Sequence, residues 1–223
     1  MAQERSVVEE RPVSPVADPA PLGLGAFALT TFILSAHNAL GAATVPLLGF
    51  FGYALFYGGL AQFMAGMWEF KNRNTFGATA FSTYGGFWMG LAAFITLVLF
   101  GKVTAKEVAP SLGLILLAFF IFNTYMLVMS ARVNLAVFLV FLTLEITELL
   151  LWIGNFAGNA AGTGLVAIGG WVGIITALVA WYASAAGVAN SMSPTPVLPV
   201  GRPLWGALPI SARPERPLPR TES

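Results

Sequence analysis

Cysteine is missing from the chain altogether, and histidine occurs once. The first absence excludes a disulfide framework and any thiolate metal site. The second excludes a multi-histidine metal centre. Charge is scarce too: 9% of the 223 residues are Asp, Glu, Lys or Arg, against about 25% in an ordinary soluble domain. What fills the space is apolar, with 57% hydrophobic residues and a mean hydropathy of +0.78. Such a composition defines an all-α, polytopic membrane protein whose main partner is the lipid bilayer. The net charge of +1 gives no reason to expect a nucleic-acid partner. Residues 1–17 lack the apolar core of a cleavable signal.

A helical span needs roughly 20 apolar residues to cross a hydrocarbon core of about 30 Å. Six segments meet that length: 22–40, 45–68, 78–100, 110–129, 133–153 and 164–190. Together they make a six-helix transmembrane domain over residues 18–190, preceded by a disordered tail at 1–17. After Asn190 the chain is too rich in Pro for a helix, so a disordered tail is expected over 191–223. Short connections make neighbouring spans antiparallel, and no internal repeat stands out.

An even number of spans puts both tails on one side of the membrane. That side carries Arg5, Arg11, Lys71, Arg73, Arg132, Arg202, Arg213, Arg216 and Arg220, against Lys102 and Lys106 on the other. Nine against two is a positive-inside bias, so both termini are expected in the cytoplasm and the chain in the plasma (inner) membrane. No large soluble domain is left to carry chemistry.

Polar groups in hydrocarbon are costly, and here they fall in stripes. Phe27, Thr31, Ser35 and Asn38 follow one helical face of the first span, and Gly58, Gln62, Ala65 and Glu69 follow one of the second. The fourth span adds Asn123 and Thr124. Each residue taken alone fits a hydrogen bond between helices; several stripes together fit a polar path through the bundle. His37, beside Asn38, fits either a proton relay or a bond from the interface to a carbonyl.

The fifth span contains the least expected residues, Glu145 and Glu148 in LTLEITELLL. An acidic residue at a helix centre costs roughly 2.5–3.5 kcal/mol on insertion scales. A separation of three puts both on one face with Leu142, and no cation lies within a turn. At least one is therefore expected to be protonated or to face water. Glycine is frequent, at 24 residues, and Gly86/Gly90, Gly154/Gly158/Gly162 and Gly169/Gly173 have spacings that permit close helix approach.

A set of motifs then resembles one family. DPAPLGL (residues 18–24) is similar to the Asn-Pro-Ala-Pro-Leu-Gly-Leu signature of the acetate uptake transporters, which include bacterial acetate/succinate permeases and fungal relatives. The likeness continues in His37-Asn38, in FYGGLAQFMAG, in EFKNRNTFGATAFSTYGGFW and in IGNFAGNAAG. It covers nearly everything from Asp18 to about Asn190, in the same order and spacing.

The resemblance implies a six-helix protomer in a ring-shaped hexamer, with one pore per protomer for acetate, succinate or similar small carboxylates, working as proton symporter or anion channel. No cofactor is expected, and no metal, given the lack of cysteine and the single histidine. The family's constriction of Phe, Tyr and Leu falls on Phe27, on Tyr84 and, in the fifth span, on Leu142 by the FLTL string or Leu144 by counting back from IGN. Two departures stand out: Asp18 replaces the usual Asn, and Glu145 and Glu148 fall where relatives carry apolar residues. The pair is a candidate for proton coupling. Residues expected to meet the carboxylate are Asp18, Leu22 and Gly23 at the entrance, where a helix N-terminus offers free N–H groups, and Thr31, Asn38, Gln62, Asn123 and Thr124 along the stripes.

Two other functions compete. Glu145 and Glu148 could be the acid/base pair of an intramembrane enzyme, although no HExxH, Asp-rich motif or nucleophile accompanies them. A retinal receptor needs a lysine in mid-membrane, and Lys71, Lys102 and Lys106 all lie in loops. No catalytic residue is expected.

Overall fold

The computed structural model describes residues 16–205; the expectations for residues 1–15 and 206–223 fall outside the described residues. Among the described residues seven α-helices and one π-helical turn build six spans. They are α1 (Ala20–Leu40), α2 (Leu48–Leu55) and α3 (Gln62–Lys71) joined through the π-turn Phe56–Ala61, α4 (Thr75–Leu99), α5 (Ala105–Ser130), α6 (Leu135–Phe156) and α7 (Gly164–Ser191). Each span is long and apolar enough to cross a membrane.

Local chemistry sets several helix ends. Asn74 Oδ1 accepts from Gly77 N at 3.1 Å and Asn134 Oδ1 from Val137 N at 2.9 Å, so α4 and α6 begin at side-chain caps. Thr104 N donates to Glu107 Oε2 at 2.8 Å, which starts α5 at Ala105, five residues before the expected Pro110. The sequence reading took Pro110 as the boundary; it is instead the sixth residue of α5, inside the helix, where it cannot donate to the Lys106 carbonyl.

The spans close into a ring: α1 packs on α7, α7 on α6, α6 on α5, α5 on α4, and the second span on α4 and α1. Glycine makes the closest approaches. A Cβ on Gly170 would run into the backbone of Ser35 and Ala39, and one on Gly173 into the Ser35 side chain. Gly154 and Gly169 are likewise covered by α7 and α6 side chains. Their close spacing therefore serves packing inside the protomer. Gly86 and Gly90 differ, with nothing within 4 Å of where a Cβ would stand.

The second span departs from a regular α-helix. Its FYGGLA stretch winds as a π-turn, an arrangement with one extra residue per turn that recurs at functional sites. Gly58 lets this turn close on Thr30 of α1.

The start of the Pro-rich tail is ordered, against expectation. Asn190 Oδ1 accepts from Val197 N at 2.7 Å and Leu198 N at 2.9 Å. Val200 O then accepts from Ala136 N at 2.9 Å, and Ala131 O from Leu204 N at 2.8 Å. Proline content rules out a helix, but the remaining N–H and C=O groups of the tail still pair, here with Asn190 and with open backbone groups at the ends of α5 and α6.

Candidate functional site

On the side opposite the tails the ring opens into a cavity of about 380 Å³. Its wall is mostly Leu, Ile, Val, Ala and Phe from α1, α4 and α5, with His37, Asn38, Asn155 and Asn159 as polar exceptions. His37 Nδ1 lies 2.6 Å from Val45 O, which is the carbonyl bond among the two roles expected for it. Leu34, Asn38, Phe87, Leu116 and Leu151 pass from this vestibule into a second space of about 40 Å³ at mid-helix. A site for one water takes about 10–15 Å³, so the inner space holds only a few water-sized positions. It is a constriction.

Phe27, Tyr84 and Leu144 all line it and are all buried. The Phe27 and Tyr84 rings meet edge-on with centroids 5.6 Å apart. Phe87, Phe119 and Phe122 hold Tyr84 from the other sides at 5.5–6.4 Å. Leu142 is outside the lining, so of the two fifth-span positions it is Leu144 that stands beside Phe27 and Tyr84. Counting back from IGN gives the residue that lines this space; the FLTL string gives one two residues away, turned by about 200° around the helix.

The two glutamates part company for the same reason. Glu148 lines the constriction and is buried; Glu145 faces α5 and is half-buried. Glu145 Oε2 accepts from Asn123 Nδ2 and Oε1 from Thr124 Oγ1, each at 2.6 Å. Asn123 also donates to Phe141 O at 3.0 Å, and its Oδ1 accepts from Tyr84 Oη at 3.0 Å. Glu148 Oε1 lies 3.3 Å from the same phenol oxygen. One phenolic proton cannot serve both contacts at full strength, and the shorter one goes to Asn123. Asn123 and Thr124 thus act as the outer support of Tyr84 and Glu145, and neither lines the cavities.

Other expected contacts are placed differently. Thr31 and Asn38 line the constriction. Asp18, Leu22, Gly23 and Gln62 line neither cavity. Asp18 Oδ1 accepts from Ala20 N at 2.9 Å, so the chain's own carboxylate occupies the helix N-terminus expected to attract an anion. The Gly23 backbone is covered by the Phe81 ring, which a Cβ would meet at 2.7 Å. Leu22 is exposed, and Gln62 is buried on the α3 stripe with Ala65 and Glu69. The sequence stripes found the buried faces correctly, yet burial between two helices and exposure to a cavity look alike from spacing alone.

Trp88, Ser35 and Thr147 also line the constriction and were not singled out as substrate contacts. Trp88 follows Tyr84 at the spacing of one helical face, which was the available signal. Toward the tails the bundle is filled: the Phe76 and Phe141 rings lie 5.4 Å apart, and Phe81 and Met126 belong to the same core. Among the described residues no group of His, Cys, Asp and Glu could hold a metal ion.

Six spans around a vestibule that narrows to a ring of aromatic and aliphatic side chains have the build of a small-solute transporter. The chain belongs to the GPR1/FUN34/yaaH family, whose model matches residues 3–202. It is 42% identical over 201 residues to acetate permease A of Emericella nidulans, covering 85% of this chain and 67% of that protein. It is 38% identical over 186 residues to the succinate-acetate/proton symporter SatP of Escherichia coli, covering 83% and 96%. The solved structure of the bacterial acetate channel SatP superposes with a TM-score of 0.76 at 38% identity, covering 83% of this chain and 99% of that one. The chain spans about two thirds of the length of the fungal relatives, 65% for accumulation of dyads protein 2 of Saccharomyces cerevisiae.

Proposed function

We propose that this protein carries acetate, succinate and similar small carboxylates across the membrane through one pore in each protomer. The observation that carries the reading is the narrowing from about 380 Å³ to about 40 Å³ between Phe27, Tyr84 and Leu144. A short carboxylate has an apolar end that passes aromatic rings and a polar end that needs donors, and the constriction supplies both. Relatives named a permease, a proton symporter and a channel support transport in this chain. An intramembrane enzyme is not favoured, because Glu145 is held by Asn123 and Thr124 and so is not free to pair with Glu148.

The protomers form a ring-shaped hexamer, as the family resemblance implies, and the open Gly86/Gly90 face is one part of the glycine pattern left for contact between them. Both termini lie on the cytoplasmic side of the inner membrane, supported by the basic residues at that end. Liposomes containing the protein should take up labelled acetate and succinate unchanged, and an imposed inward proton gradient separates symport from an anion channel. Protein-free rates of uptake would end the proposal. Mass measurement in mild detergent should give six copies; monomers or dimers alone would count against the ring.

A further inference from the structure

Buried polar atoms are hydrogen-bonded in about nine cases of ten or more, and each exception calls for a partner. Among the described residues seven buried side-chain N or O atoms have no partner. Three of the seven, Thr31 Oγ1, Trp88 Nε1 and Glu148 Oε2, belong to residues lining the same 40 Å³ constriction. All three residues are at least nine-tenths buried, with 5%, 3% and 4% of their surface exposed. They come from three different spans, so no single helix accident explains them. Their chemistry is specific: the indole N–H only donates, the threonine hydroxyl donates or accepts, and the carboxyl oxygen is an acceptor unless it carries the proton.

We propose that Thr31, Trp88 and Glu148 form one recognition site that takes the undissociated carboxylic acid, so that one proton accompanies each substrate molecule. This rests on the transport reading above and names the species that the constriction accepts. The acid's carbonyl oxygen accepts from the Trp88 indole and the Thr31 hydroxyl, while its O–H donates to Glu148 Oε2. No covalent bond is made or broken, and the proton enters and leaves with the acid. A carboxylate anion would instead place its oxygen against an ionised Glu148 Oε2 with no proton between them.

The surroundings of Glu148 support the assignment. Tyr84 of α4 is at 3.3 Å on its other oxygen, and Glu145 stands one turn earlier on α6 itself. The α1 face offers Thr31 and Ser35, α5 offers Leu116, and α7 meets Thr147 through Thr176. His37 faces only the vestibule. Among the described residues no Lys or Arg lines either cavity, so nothing there offsets two carboxylate charges side by side.

Acetamide tests this in the whole protein in liposomes. It has the shape of acetic acid, an N–H donor where the acid has O–H, and no charge at any pH of interest. Acetamide should inhibit initial acetate uptake with a constant within about ten-fold of the half-saturation for acetate. Trp88→Phe should raise both constants about ten-fold, the loss of one hydrogen bond of about 1.4 kcal/mol. Trp152→Phe is the control, since its indole nitrogen is also buried and unpartnered but lies outside both cavities; it should change neither constant. Glu148→Gln places an amide N–H at the contact, which donates to the anion, so acetate uptake should lose its accompanying proton.

The inference is overturned by any of three results. These are no competition by a hundred-fold excess of acetamide, equal effects of Trp88→Phe and Trp152→Phe, or an unchanged proton-to-acetate ratio in Glu148→Gln. Competition in the parent protein decides the matter if a variant fails to fold. Acetate uptake no faster than in empty liposomes would overturn the transport proposal instead, and the two failures are therefore distinct.

Discussion

Glu145 and Glu148 are three residues apart on one helix, yet their surroundings are opposite. The first has both oxygens satisfied at 2.6 Å by neighbours on α5. The second shares one phenol and leaves an oxygen without a partner in the constriction. A rotation of about 300° over three residues moves a side chain by 60° from its starting face, which is enough to cross from a helix–helix seam into a cavity. Two carboxyls that read as a pair in the sequence are thus a structural tie and a free group.

The sharpest way to break that contrast is to remove titration from each carboxyl in turn. Glu148→Gln should flatten the dependence of acetate flux on pH. Glu145→Gln should keep the parent's curve, since its amide still accepts at one atom and the residue lines neither cavity. The double variant should behave like Glu148→Gln alone. Curves of equal shape for the two single variants would mean that the residues act as a pair after all.

Asn123 links the two regions, and its loss should come next in size. Asn123→Ala removes the donor of Glu145 and the acceptor of Tyr84 at once, which should cost about 1–3 kcal/mol. Thermal unfolding in detergent reads this directly, and the variant should also loosen Tyr84 and raise leak through the constriction. A stability equal to the parent's would show that the tie is dispensable.

Leu144 and Leu142 give a smaller effect of the same kind. Leu144→Ala widens the ring beside Phe27 and Tyr84, so uptake of carboxylates longer than acetate should rise a few-fold, while Leu142→Ala leaves the size profile alone. The opposite result would return the constriction to Leu142. Least of all should follow from Thr124→Val. Thr124 is exposed and its one hydroxyl proton is shared between Glu145 Oε1 at 2.6 Å and Phe120 O at 2.9 Å, so removing the hydroxyl should change stability by about 1 kcal/mol or less and leave the pH–flux curve untouched.

Much of the site was legible in part. The stripes correctly marked Thr31, Ser35 and Asn38 as one buried or cavity-facing edge, because helical spacing alone puts them there. Gln62 and Gly23 show the limit: both are buried, and both meet protein instead of the cavity. Asp18 shows another, since a short acidic side chain before a helix is as able to cap its own backbone as to meet a solute. Trp88 went unnoticed because a tryptophan in an apolar run looks like packing until its N–H is seen to lack a partner.

By itself the sequence determined six spans and their antiparallel order. Those features depend on composition, helical periodicity and local hydrogen bonds, which operate within a few turns of chain. Only the tertiary structure decided that Leu144 and not Leu142 joins the ring, that Glu145 is tied and Glu148 free, and that the packed glycines serve α1, α6 and α7. It alone showed the π-turn at Phe56–Ala61 and the ordered start of the Pro-rich tail. Each of these rests on which neighbour lies across the gap, and the facing helix is set by packing of the whole ring, a sum of contacts that no short stretch of sequence contains.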